Sequence, residues 1–171
     1  MTTTLPPVTA PSLRRRLLCM IYEAVILFGI FFSAGLLFDL ITQSKNPLPL
    51  RTLRQIYLFI VIGAYFTYFW GHGGQTLAMK TWRIKVTAVS GHTLRFKQAC
   101  IRYCLSWLWF LPALAASALF DIQHWLSFVL LGAGVALWAS TILLNPDRQF
   151  LHDTLAKTRL IILPPNPNHA P

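Results

Sequence analysis

One carboxylate, Glu23, sits inside an otherwise apolar run in the stretch RRRLLCMIYEAVILFGIFF, Arg14 to Phe32. Such a group at membrane depth is costly unless it is protonated, paired or hydrated. Two kinds of chemistry suit it: exchange of a proton or cation, or an ion pair that fixes helix packing. Arg16 lies seven residues earlier on nearly the same helix face, but about 10.5 Å away along the axis, and helical side chains lean toward the N-terminus. Arg16 is therefore expected to snorkel toward water. Glu23 falls about 9 Å into a hydrocarbon core of about 30 Å, so its partner must come from another helix. Arg102 is the cation inside a later apolar block. The expectation is a Glu23 and Arg102 pair, with Tyr22, Tyr103 and His152 as available hydrogen-bond donors. Arg16 and Asp153 would sit nearer the mouth of a polar track.

The elements that must position these residues are long apolar blocks. Hydrophobic residues make up 55% and charged residues 12% of the 171 positions, against roughly 25% charged in an average soluble domain. That deficit leaves too little charge for a water-facing surface and predicts an all-α membrane protein with four transmembrane helices, at about 17–41, 56–74, 99–120 and 122–144. The first block is too long for the apolar core of a signal peptide and lacks a small-x-small cleavage site, so it reads as an uncleaved span. Pro112 should kink the third helix. The last two blocks should form a tight hairpin, with Gly132, Ala136 and Ser140 as a small-residue row for close approach.

Alternate loops divide the 15 Lys and Arg residues into 12 and 3, the smaller group being Lys45, Arg51 and Arg54. Basic loops stay inside, which places both termini in the cytoplasm of a multi-pass plasma (inner) membrane protein. The net charge of +10 then faces anionic lipids at the cytoplasmic leaflet, and no nucleic-acid partner is needed. Residues 1–12 and 164–171 are Pro-rich and poor in apolar content and read as disordered tails around one membrane domain, 13–163. No solenoid repeat is visible.

The cytoplasmic loop, 75–98, has strand patterning. In RIKVTAVSGHTLRF, Ile84, Val86 and Ala88 alternate with polar residues before a Ser90-Gly91 turn. This predicts a small β-hairpin, and Thr158 to Leu163 could add a third strand. GHGGQT lacks phosphate-loop spacing, and His152-Asp153 has no nucleophile placed by a motif. Cys19, Cys100 and Cys104 read as small buried hydrophobes without metal-ligand spacing. No enzyme activity, cofactor or metal is expected.

Three segments in order resemble the RDD family of small prokaryotic membrane proteins: RRLLCMIYEAVILF, GGQTLAMKTWRIKVTAVSGHTLRFKQACIRY and LHDTLAKTRLI. The family is named for an arginine at the start of the first helix, an aspartate within it, and a second aspartate farther on. Arg16 and Asp153 match the first and last, and Glu23 stands where the family has its first aspartate. The resemblance implies the fold and the membrane location, and transport is the role suspected for the family. Two functions stay open: transport of a small ion or solute through the cluster Arg16, Glu23, Arg102 and Asp153, or an accessory or scaffold role in which these charges only fix helix packing. A homo-oligomer could complete a pathway that one small chain lacks.

Overall fold

The computed structural model describes residues 10–43, 50–107, 116, 124–144 and 149–164. It is mostly helical. In chain order the elements are α1 (Leu13–Thr42), α2 (Arg51–His72), α3 (Leu77–Thr81), β1 (Ile84–Ala88), α4 (Phe96–Ser106), α5 (His124–Leu144), α6 (Leu151–Leu155) and β2 (Thr158–Ile162).

Helices α1 and α2 are long and apolar enough to cross a membrane. Their outward surfaces are apolar: Val25, Phe28 and Ile41 are each 70% exposed or more. The buried stripe of α1 holds Arg16, Cys19, Glu23, Ala34, Gly35 and Phe38. This inverts the soluble pattern, with large apolar groups outside and polar or small ones inside. In the blocks expected as the third and fourth spans, the described residues form α4, 11 residues long, and α5, 21 residues long, and neither is among the two helices that qualify as candidate spans. Pro112 and the tight connection after Phe120 lie outside the described residues, as do most of the two tails. Of those tails 10–12 and 164 are described, and Pro11 is buried, its carbonyl accepting from Arg16 Nε at 3.0 Å.

The sheet differs from the expected hairpin. It has two strands, β1 and β2, antiparallel, with Ile84 opposite Ile162, Val86 opposite Leu160 and Ala88 opposite Thr158. The Ser90-Gly91 turn forms, with Gly91 N donating to the Ala88 carbonyl at 2.8 Å and Ala88 N to the His92 carbonyl at 3.0 Å. The run after it makes no strand, because β2 occupies the edge of β1 and Leu94 turns into the core instead. A local hairpin loses to a long-range strand whose buried Leu160 and Thr158 complete the same apolar face.

An internal repeat, invisible in the residue pattern, organises this end of the molecule. Each part of α6–β2 lies 74 residues beyond its counterpart in α3–β1: Leu77 and Leu151, Thr81 and Leu155, Ile84 and Thr158, Ala88 and Ile162. The strands are entered through Arg83 (φ 52°) and Lys157 (φ 53°), both left-handed and also 74 apart. Gln75 Nε2 donates to the Ile84 carbonyl at 2.7 Å, and Gln149 Nε2 to the Leu160 carbonyl at 3.3 Å. Val86 pairs with Leu160, its own counterpart, so the pairing runs symmetrically about the sheet centre. In each half the first helix packs on the short one, α1 on α3 and α4 on α6. The halves share almost no side chains, which is why a comparison of residues alone misses the repeat.

The core joins these pieces: Cys19, Trp70, Met79, Val86, Ala99, Tyr103, Phe150 and Leu160 form one buried cluster. Gly74 closes the turn from α2 into α3. Its φ is 74°, Val86 N donates to its carbonyl at 2.7 Å, and a Cβ there would collide with the Val86 carbonyl oxygen. Gly74→Ala is expected to lower stability by about 2–3 kcal/mol, through backbone strain and the clash together. Thermal unfolding in detergent would measure it.

Candidate functional site

Two buried polar centres lie at the sheet end of the helices. The first is Glu23, 8% exposed. Tyr65, from the middle of α2, donates its hydroxyl to Glu23 Oε1 at 2.7 Å. Thr76 donates its hydroxyl to Oε2. Thr76 is also the N-cap of α3, accepting from Met79 N at 3.2 Å, so one side chain caps a helix and ties it to α1. Glu23 has no cation within ion-pair distance among the described residues.

The second centre is built on Arg102 of α4. Its Nη1 donates to Asp153 Oδ1 and, at 2.8 Å, to Thr158 Oγ1. Thr158 Oγ1 in turn donates to the Asp153 carbonyl at 3.2 Å. Asp153 is fully buried. The guanidinium of Arg102 lies 4.8 Å over the Trp70 ring, and that of Arg16 lies 5.1 Å over the Phe150 ring. Each arginine comes from the first helix of its half and covers an aromatic of the other half.

The expected Glu23 and Arg102 pair therefore does not form. Glu23 is held by Tyr65 and Thr76, and Arg102 by Asp153 and Thr158. Arg102 is taken by Asp153 because docking of β2 carries α6 over the face of α4. The anticipated donors to Glu23 are occupied elsewhere. Tyr103 donates to the Phe59 carbonyl at 2.8 Å, Tyr22 meets the Trp82 ring edge-on at 6.4 Å, and His152 Nε2 lies 3.3 Å from Asp153 Oδ1. Arg16 does not snorkel; it is 2% exposed, bound through Nε to Pro11. Tyr65 and Thr76 are the residues that sequence reasoning missed. Thr76 carried a signal, an N-cap type before LAMKT, whereas nothing in the pattern of α2 singles out Tyr65.

Burial, followed by the charges of Arg102 and then Arg16, pushes the His152 imidazole down to about 2. It stays neutral in the folded protein, and its Nε2–H faces Asp153. Unfolded, it would take up a proton below about 6.5. Its contribution is therefore complete above that pH and is lost as pH falls, at up to about 1.4 kcal/mol per unit. Unfolding measured from pH 7.5 to 5 should show this decline, and His152→Gln should flatten it.

Among the described residues no group of three or more His, Cys, Asp or Glu converges as metal ligands would. Cys19, Cys100 and Cys104 are free; Cys19 is buried as expected, but Cys100 is half-buried and Cys104 exposed. At the far ends of α1 and α2 an exposed pair, Asp39 with Arg54 at 3.4 Å, contributes little. Neither curated proteins nor solved structures give a match. The sequence model of the RDD family matches residues 10–157, a range that holds Arg16, Glu23, Arg102 and Asp153, and the chain belongs to the RDD family.

Proposed function

We propose that this protein crosses the plasma (inner) membrane four times with both termini in the cytoplasm, and that it transports a small cation or proton through exchange at Glu23. One observation carries the reading: the Glu23 carboxylate is held by two neutral hydroxyls and no cation among the described residues. A carboxylate held by hydroxyls can gain and lose a proton or small cation without breaking an ion pair. Intramembrane acids of this kind mark ion pathways. Apolar α5, 21 residues long and without Lys, Arg, Asp or Glu, suits a further span.

An accessory or scaffold role is the competing reading, favoured by the double duty of Thr76, which links Glu23 to the cap of α3. Cation flux into proteoliposomes, with wild type beside Glu23→Gln, separates the two. Transport predicts pH-dependent flux in wild type and its loss in the variant. Equal flux in both would remove Glu23 from the mechanism, and no flux in wild type would leave the scaffold reading. Cysteines placed near Asn46 should react with an external reagent and those near Gly91 should not. Labelling of both from one side would sink the topology.

A further inference from the structure

The second polar centre carries an imbalance that the Glu23 reading does not use. Arg102 has a carboxylate, Asp153, supplied by the short helix of its own half. Arg16 has none. The position in α3 that corresponds to Asp153, 74 residues earlier, is Met79. Among the described residues, Arg16 Nη1 and Nη2 are both buried and make no hydrogen bond, while Nε is bonded to Pro11. Arg102 Nε and Trp70 Nε1 are likewise buried donors without an acceptor among them. With His152 neutral, the described residues give Arg102 one carboxylate, Asp153, and Arg16 none, so among them the centre holds one more positive than negative charge. A lone buried charge costs several kcal/mol, more than its stacking on Phe150 returns.

We propose that Arg16 binds a small monovalent oxyanion of the carboxylate class, which takes beside Arg16 the part that Asp153 plays beside Arg102. The planar fork of an arginine with both Nη groups open matches two oxygens on one carbon. The burial of Arg16 restricts the ligand to something of formate or bicarbonate size and excludes a long chain. The anion sits where the two halves meet, since Arg16 belongs to the first half and the Phe150 beneath it to the second. It would neutralise Arg16 where the halves meet, as Asp153 neutralises Arg102.

Thermal unfolding of the full chain in neutral detergent, titrated with sodium formate and with sodium gluconate at one ionic strength, tests the site. Formate should raise Tm along a saturating curve, by about 5 °C once its concentration is well above Kd, and gluconate should not. Arg14→Gln, a change at an exposed neighbour, and Glu23→Gln should both keep the formate response. Arg16→Gln should lose it. Arg16→Lys, which keeps the charge and loses the fork, should shift the midpoint to at least tenfold higher formate. A response equal in both salts, or one that survives in Arg16→Gln, overturns the proposal. So does a wild type with no response.

Discussion

Arg102→Ala is expected to lower stability by about 3–5 kcal/mol, the loss typical when one member of a buried pair is removed. The reason lies in Asp153. It is fully buried, it takes the Arg102 Nη1–H at Oδ1, and its Oδ2 has no hydrogen-bond partner among the described residues. Without Arg102 that carboxylate keeps only the imidazole N–H of His152 nearby, and Thr158 loses its donor too. Removing both charges, as in Arg102→Leu with Asp153→Asn, should recover more than half of the loss, because an apolar or neutral pair needs no compensation. Adding Glu23→Gln to Arg102→Ala should give no such recovery; the two effects should add within about 0.5 kcal/mol, since the residues serve different short helices. A strong coupling between positions 23 and 102 would contradict the geometry.

The second large effect is at Glu23, and it separates size from charge. Glu23→Ala leaves the hydroxyls of Tyr65 and Thr76 without their acceptor and opens a void, an expected loss of about 2–4 kcal/mol. Glu23→Gln should cost about 1 kcal/mol or less. Its carbonyl accepts from one hydroxyl, and its amide can donate to the other, which rotates to receive it. Tyr65→Phe should cost about 1 kcal/mol. Thr76→Val should cost about 2 kcal/mol, because it removes the bond to Glu23 and the cap on Met79 N together; Thr76→Ser should restore both. Unfolding in detergent ranks these variants. Measured beside flux, the series separates the mechanism: a Glu23→Gln protein that is stable yet inactive places the titratable proton, and not the fold, at the centre of activity.

Residue order alone determined the apolar blocks, the short strand at Ile84–Ala88, and the family resemblance carried by Arg16, Glu23 and Asp153. Those are properties of local composition and spacing: an apolar run of sufficient length is legible wherever it occurs, and alternation over five residues defines a strand. Pairing was not legible. Glu23 and Arg102 look like partners because they are opposite charges at similar depth, but depth is one coordinate of three. Which face α4 turns toward α6 depends on β2 reaching across to β1, a contact between residues seventy or more apart in the chain. The same contact decided that the run after Gly91 would not be a strand. The repeat, too, exists only in three dimensions. Its two halves keep a helix, a left-handed basic residue and a strand while sharing few side chains, so backbone geometry preserves what side-chain identity does not.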